Sequence, residues 1–228
     1  MLRLLTMNVT QLNEDELFQA FYSQMSDFRK KKIDRLRFRK DKNLSLGAGI
    51  LLNRGLQPYG LCERQMHYAL RENEKPYFQN EPSICFNLSH SDTQVLAAVS
   101  DHEVGCDVER IKPIDLQLAK RFFAPEEYTL IMAAQTEKEK TLLFYRLWTL
   151  KESFIKCTGM GMRLPLNQFS IDLKAEPIQV KCSSFSEQYS FAEYSQIPDY
   201  CISCCIQGEN PKPQLECIND LLQIAASI

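Results

Sequence analysis

The 228-residue sequence lacks the features that mark several large protein classes. No apolar run approaches the roughly 18 residues that a membrane-spanning helix needs. The apolar start, Met1 to Thr10, has neither a long hydrophobic region nor a small-residue cleavage site, so we expect no signal peptide and no membrane partner. A GxGxxG fingerprint and a Walker loop are both missing, which argues against the common nucleotide-binding folds. With only three histidines, a histidine-rich metal site is not expected.

A large net charge is also missing, because 27 Lys and Arg face 29 Asp and Glu. The small net charge argues against a dedicated nucleic-acid binder. The composition, with 44% hydrophobic and 25% charged residues, is that of a globular protein and excludes a disordered chain. The charge is nevertheless segregated. The segment from Arg29 to Lys42 carries +7 and the other residues carry −9. A compact basic segment favours a polyanionic ligand or an acidic partner, and a solvated helix face is the alternative.

Cysteine usage points to a reducing compartment. Nine is an odd number, the residues are scattered, and most have apolar neighbours, as buried free thiols do. We therefore expect a cytoplasmic protein. Cys201, Cys204 and Cys205 lie close enough to suggest zinc, but their surroundings are typical of a strand, which is the interpretation we favour.

Hydrophobic periodicity predicts an α+β fold. A long helix is expected from about Glu137 to Lys156, ending at Gly159. Leu44–Leu52 is predicted as a helix that packs closely on a neighbour, since it contains two glycines. The best-defined strands are predicted over Leu2–Met7, Ser83–Leu88, Gln94–Ser100, Val104–Glu109, Tyr189–Tyr194 and Tyr200–Gln207.

Two clusters in the strand region carry chemistry. Asn87 to Ser91 (NLSHS) ends a predicted strand, and its hydroxyl and imidazole groups suit phosphate oxygens, although a simple polar turn has the same composition. Asp107 and Glu109 lie two residues apart on a strand and therefore point the same way. Two adjacent carboxylates repel each other unless a cation or proton intervenes, which favours Mg²⁺ over an exposed polar edge.

A third cluster lies on the long helix. Trp148, Glu152 and Lys156 recur every four residues and share one helix face. A plain surface ion pair is the alternative. Directed at Asp107 and Glu109, this face would instead complete a metal–phosphate site, where an external nucleophile attacks a phosphate ester. A nuclease would use the same groups, but it would spread its basic residues along a groove.

These clusters together resemble one family, the Sfp-type (surfactin-synthetase-activating) 4′-phosphopantetheinyl transferases. Its three motifs appear here in order as Phe86 to Ser91 (FNLSHS), Gly105 to Glu109 (GCDVE) and Trp148 to Lys156 (WTLKESFIK). Weaker matches flank them, and the similarity spans roughly Arg29 to Leu173. One departure from the family pattern is notable. Leu44 stands where family members often carry an arginine that contacts the 3′-phosphate of coenzyme A, and Lys42 is a candidate substitute for that arginine.

The resemblance implies Mg²⁺-dependent transfer of the phosphopantetheine arm of coenzyme A to a serine of an acyl or peptidyl carrier protein, releasing adenosine 3′,5′-bisphosphate. Mn²⁺ is an alternative metal. It also implies a monomer in which two similar α+β subdomains form a pseudo-dimer with coenzyme A in the cleft. We divide the chain accordingly into residues 1–103, with the 3′-phosphate and coenzyme A contacts, and residues 104–228, with the metal site and catalytic helix.

By motif match, the resemblance also implies residue roles. Mg²⁺ would be coordinated by Asp107, Glu109 and Glu152. The catalytic groups would be Glu152, as the base for the serine, together with Lys156 and His90 on phosphate oxygens. The coenzyme-binding residues would be Arg29, Lys32, Lys75, Ser89, His90 and Lys156. A non-catalytic coenzyme A or carrier-binding protein would be expected to lose a metal carboxylate, and all three are present. The roles of Glu127 and of the residues after Leu173 are not assigned.

Overall fold

The fold is described over residues 1–209 and 212–225 of a computed structural model. The strands of this part of the chain are β1 (Leu2–Asn8), β2 (Tyr68–Leu70), β3 (Pro76–Phe78), β4 (Cys85–Ser91), β5 (Gln94–Ser100), β6 (Val104–Arg110), β7 (Ser170–Asp172), β8 (Gln179–Lys181), β9 (Tyr189–Tyr194), β10 (Tyr200–Gln207) and β11 (Leu215–Ile218). The helices are α1 (Asp15–Ser23), α2 (Asp27–Arg35), α3 (Arg39–Leu56), α4 (Gln117–Phe122), α5 (Pro125–Met132), α6 (Glu137–Thr158) and α7 (Leu221–Ala225).

The chain divides into two units, and the division differs from the sequence-based one at the C terminus. The first unit combines Met1–Asp101 with the segment that begins at Pro213, and the second is His102–Lys212. The C-terminal segment joins the first unit because β11 pairs in parallel with β1 and buries Leu215 and Ile218. It therefore lies outside the subdomain that follows residue 103, where the sequence placed it.

The first unit packs one long helix on a four-stranded sheet. The strand order is β11-β1-β5-β4, and β5 is buried along its whole length because it lies between two antiparallel neighbours and under α3. Close approach of α3 depends on glycine, as the sequence predicted. A Cβ on Gly47 would lie 2.6 Å from a methyl of Val9, and one on Gly49 would lie 2.4 Å from the sulfur of Met25.

The second unit repeats this plan with a three-stranded antiparallel sheet. Its order is β6-β10-β9, and α6 packs across β6 and β10. Helix α6 begins with a capping box, in which Thr136 and Glu139 satisfy each other's backbone amides, and it ends at Gly159 in the left-handed conformation. Both units thus join helices and antiparallel strands, which confirms the α+β class.

Helix α6 lies directly against strand β6 at Gly105. A Cβ on Gly105 would lie 2.0 Å from the carbonyl oxygen of Ser153 and 2.4 Å from the backbone nitrogen of Cys157. Only glycine therefore allows the helix backbone to touch the strand at this point. Separately, among the described residues no helix is long and apolar enough to cross a membrane.

Candidate active site

Strand β6 and helix α6 bring together the acidic and basic residues of the second and third motifs. Asp107 is buried on β6, and Glu109 follows two residues later on the same face, half-buried. The ammonium of Lys156 on α6 lies 2.6 Å from Oδ1 of Asp107 and 3.3 Å from the carbonyl oxygen of Cys106. The spacing argument from the sequence therefore holds, since the charged face of α6 is turned toward Asp107.

Electrostatic coupling shows that Glu152 belongs to the same cluster. Burial raises the pKa of Glu152, and the negative charges of Asp107 and Glu109 raise it further, while Lys156 opposes the shift. Burial alone would lower the pKa of Lys156, but the charge and hydrogen bond of Asp107 raise it. Lys156 therefore interacts with both Asp107 and Glu152, which links the strand and helix parts of the cluster.

The donor set suits a hard divalent cation. Carboxylate oxygens are the ligands that Mg²⁺ prefers, and the repulsion that raises the pKa of Glu152 is one that a cation would relieve. Over residues 1–209 and 212–225, however, no group of three or more His, Cys, Asp or Glu side chains is arranged to hold a metal. The donors fit by their chemistry, and the metal itself stays a prediction.

An apolar cavity of about 510 Å³ opens beside Glu152. Trp148 and Ile155 of α6 form one wall with Glu152, and the α4 residues Arg121 and Phe122 form another. Residues Gly161, Met162, Leu164, Pro165, Leu166 and Asn167 complete the lining. Sequence reasoning placed Trp148 on the face of Glu152 and recorded the flanking segments as weak family matches, but it did not predict that they enclose a cavity.

Glu127, whose role the sequence left open, belongs to a buried structural network. Its carboxylate lies 2.9 Å from the ammonium of Lys151 and accepts hydrogen bonds from the amides of Ala124 (2.9 Å) and Ile171 (2.7 Å). Lys151 is fully buried and also donates to the carbonyl of Phe169. This ion pair ties α5 and α6 to the start of β7, so Glu127 supports the site without facing it.

In the first unit, the predicted phosphate ligand Arg29 is already engaged. Its side chain is 3% exposed, and its Nε lies 3.5 Å from the buried carboxylate of Glu63. Glu63 also accepts hydrogen bonds from Ser26, which caps α2, and from the hydroxyl of Tyr68 at 2.6 Å. Arg29 therefore neutralises an internal charge and fixes α2, which is a structural role that the charge count did not reveal.

The other predicted coenzyme residues differ in exposure. Lys32 is exposed on α2, and its pKa is lowered by partial desolvation and by the neighbouring charge of Arg29. Lys75 is buried at the turn between β2 and β3. Ser89 and His90 are consecutive on β4 and so point to opposite faces, Ser89 buried and His90 exposed. The two side chains would therefore reach different groups of a coenzyme bound at this strand.

Two further expectations concern the cysteines and Leu44. All nine cysteines are free thiols. Burial raises the pKa of Cys201 to about 12 and that of Cys204 well above its usual value. The cluster lies in strand β10, as favoured from the sequence. Leu44 is buried in the core of the first unit, whereas Lys42, two residues earlier, is half-buried.

Comparison with known proteins identifies the family. A model of the 4′-phosphopantetheinyl transferase superfamily matches residues 103–205, which contain β6, α6 and the cavity. A 4′-phosphopantetheinyl transferase of Bacillus subtilis is 32% identical over 201 residues, covering 82% of this chain and 88% of that one. The transferase Sfp of Bacillus subtilis strain 168 is 32% identical over 194 residues (84% and 85%), and gsp of Aneurinibacillus migulanus is 31% identical over 206 residues (90% and 86%).

These similarities extend over most of each chain, so this chain belongs to the 4′-phosphopantetheinyl transferase family. The resemblance identified from three short motifs is confirmed. Membership in this family also favours a transferase over the nuclease that the Asp107–Glu109 pair alone would have allowed.

Proposed function

We propose that the protein transfers the 4′-phosphopantetheine arm of coenzyme A to a serine of an acyl or peptidyl carrier protein. The observation that carries this proposal is the contact between Asp107 and Lys156 together with the electrostatic interaction of Glu152 with Lys156, Asp107 and Glu109, beside an apolar cavity in a chain of this family. A cluster of one ammonium and three carboxylates suits a diphosphate held through a cation. The adjoining apolar cavity suits the methylene and dimethyl groups of the long pantetheine arm.

The reaction is a phosphoryl transfer to an external alcohol. The serine oxygen forms a bond to the phosphorus that carries the pantetheine arm, and the bond from that phosphorus to the bridging oxygen breaks, so that adenosine 3′,5′-bisphosphate leaves. The serine proton passes to Glu152, directly or through water. Lys156 stabilises the negative charge that grows on the phosphate oxygens. Alignment of the serine supplies much of the remaining acceleration.

We assign the metal to Asp107, Glu109 and Glu152. A bound Mg²⁺ would neutralise charge on the diphosphate, and Mn²⁺ has the same ligand preferences. In the second unit these residues and Lys156 form the catalytic group. We assign the coenzyme contacts of the first unit to Lys32, Lys75, Ser89 and His90. Because Arg29 is held by Glu63, Lys32 is the better candidate for the 3′-phosphate.

We further propose a monomer in a reducing cytoplasm. Nine free cysteines in a chain of 228 residues support the compartment. The family resemblance supports the monomer, and light scattering of the purified protein would test it.

The decisive experiment incubates the protein with coenzyme A, Mg²⁺ and an apo carrier protein, and follows the carrier by mass spectrometry. We expect the mass of one phosphopantetheine to be added, and no addition by Glu152→Gln. The matched control is Glu137→Gln, which removes an exposed carboxylate in the first turn of the same helix and should leave transfer intact. No mass gain on carriers from both fatty-acid and peptide synthetases would refute the function. Full activity in excess EDTA would refute the metal.

A further inference from the structure

Ser203 is a buried polar residue that the proposed function does not use. It lies on β10 with no exposed surface, and its Oγ has no hydrogen-bond partner within the part of the chain that is described. A buried hydroxyl without a partner lowers stability, and such groups are rare in folded proteins. Alanine would fill nearly the same space at no such cost, so the hydroxyl calls for an explanation.

The sheet register places this hydroxyl directly beside the candidate metal site. Ser203 is the cross-strand partner of Asp107 on β6 and of Glu193 on β9. Directly opposite residues of antiparallel strands point to the same face, with their Cβ atoms about 4.5–5.5 Å apart. At that separation, rotation about one side-chain bond is enough to bring a serine hydroxyl within hydrogen-bond distance of a carboxylate.

The two flanking carboxylates differ in how they are held. Each oxygen of Glu193 already accepts one N–H from the guanidinium of Arg146, at 2.9 and 2.7 Å, in a bidentate pair. Asp107 is held through Oδ1 by the flexible side chain of Lys156. A cation at Asp107 would repel that ammonium, and an ionised carboxylate has lone pairs enough to bind a cation and a hydroxyl together. Asp107 is therefore the carboxylate whose surroundings change when a cation binds.

We propose that Ser203 is a positioning residue that donates a hydrogen bond to the carboxylate of Asp107 and orients it toward the divalent cation. This inference rests on the metal assignment under Proposed function. Carboxylates that ligate metals are themselves hydrogen-bonded, and removal of such a partner typically weakens metal binding by 10–100-fold.

The competing explanation is that Ser203 is simply small. Helix α6 crosses β6 and β10 closely, as Gly105 shows, and bulky residues would not fit beneath it. This explanation predicts that Ser203→Ala leaves metal binding unchanged. The two explanations therefore differ in a quantity that can be measured without turnover.

The test compares Mn²⁺ binding by calorimetry to metal-stripped wild-type protein and to Ser203→Ala. We expect about 10-fold weaker Mn²⁺ binding by the variant. The unfolding temperature of the metal-free variant should equal or exceed that of the wild type, because a buried hydroxyl without a partner has been removed. The matched control is Ser153→Ala on α6, since this serine is equally buried but already donates to the carbonyl of Leu150 at 2.8 Å. It should bind Mn²⁺ like the wild type.

The outcomes separate this inference from the function on which it rests. Equal Mn²⁺ affinity in Ser203→Ala and wild type would overturn the role of Ser203 and leave the metal site standing. Absence of Mn²⁺ binding in the wild type would overturn both. In steady-state assays we expect Ser203→Ala to raise the Mg²⁺ concentration needed for half-maximal activity and to approach wild-type kcat at saturating Mg²⁺. A lowered kcat at saturating metal with an unchanged Mg²⁺ requirement would also overturn the proposal.

Discussion

Substitution of Gly105 by alanine tests whether the contact between α6 and β6 sets the geometry of the site. The added Cβ would lie 2.0 Å from one backbone atom of α6 and 2.4 Å from another. Atoms of a helix backbone do not rotate away as a side chain does, so helix and strand must separate by about 1 Å to restore a normal contact. Lys156 and Glu152 move with the helix, whereas Asp107 stays on the strand.

The size of the effect follows from this displacement. Overpacking of a rigid interior costs about 1–3 kcal/mol, and we expect the upper end because both partners are backbone. For a chain of this size, about 3 kcal/mol lowers the unfolding temperature by about 6–12 °C. A misplacement of about 1 Å at a reacting centre costs about 10²-fold in rate. We therefore expect Gly105→Ala to lose both stability and transfer activity.

Thermal unfolding and the carrier-modification assay measure the two effects, and Gly49→Ala is the control. A Cβ on Gly49 meets the sulfur at the end of the flexible Met25 side chain, which can shift, and alanine is favoured over glycine within a helix. Met25 is itself buried, so we expect that variant to lose some stability but less than Gly105→Ala, because a side chain can move where a helix backbone cannot. If Gly105→Ala unfolds within about 2 °C of the wild type and keeps at least about half of its activity, the close-contact argument is wrong.

Three further predictions concern charged side chains. In EDTA at pH 7.5, Glu152→Gln should raise the unfolding temperature by about 2–4 °C, because the folded wild type holds a buried carboxylate that its neighbours repel. This gain should shrink as the pH falls through the raised pKa of Glu152 toward its ordinary value of 4.5, since the wild-type carboxylate is then protonated too. Lys151→Met should cost about 3–5 kcal/mol in urea unfolding, because it leaves Glu127 buried and uncompensated, and a smaller loss would contradict the network. Lys32→Glu should raise KM for coenzyme A more than KM for 3′-dephospho-coenzyme A, and equal effects on both substrates would place the 3′-phosphate site elsewhere. Arg29→Leu should mainly destabilise the fold, because Arg29 is paired with Glu63.

Elements with strong periodicity were predicted well from the sequence. Strands β5, β9 and β10 have the predicted bounds, β1 and β6 extend one residue further than predicted, and α6 ends at Gly159 as expected. These segments are long or strictly alternating, so local pattern and tertiary packing favour the same structure. Strand β11 was missed, because four residues after a proline-containing segment carry little local signal. Its position is fixed by pairing with β1, about two hundred residues earlier in the sequence, which no local pattern records.

The candidate site was predictable where spacing determines direction. Alternation along β6 placed Asp107 and Glu109 on one face of the strand, and the four-residue spacing placed Glu152 and Lys156 on one face of α6. The sequence left open whether this helix face formed a surface ion pair or turned toward Asp107, and the 2.6 Å contact between Lys156 and Asp107 decides it. The same reasoning failed for partners distant in sequence. Lys151 lies inside the third motif, yet its interaction with Glu127 depends on how α5 packs on α6. Ser203 was not predicted as a site residue, because only the register of β10 against β6 places it beside Asp107.

The basic segment from Arg29 to Lys42 offers a ligand less unpaired positive charge than its net charge of +7 indicates. Of its nine basic residues, Arg29 is paired with Glu63, Arg39 with Asp15 and Lys40 with Asp92. The guanidinium of Arg39 also lies 4.2 Å from the ring of Phe18, so its charge serves the packing of α1 on α3.

Exposed positive charge is concentrated instead on Lys31, Lys32, Arg35 and Arg37, at α2 and the turn that follows it. An acidic carrier surface would therefore be drawn to this short stretch, and its attraction would be screened within about 10 Å at 0.1 M salt. Carrier modification at subsaturating carrier should accordingly slow as salt rises, and Arg35→Glu with Arg37→Glu should remove most of that salt dependence. Substitution of Lys40, whose charge Asp92 already neutralises, should leave the salt dependence in place.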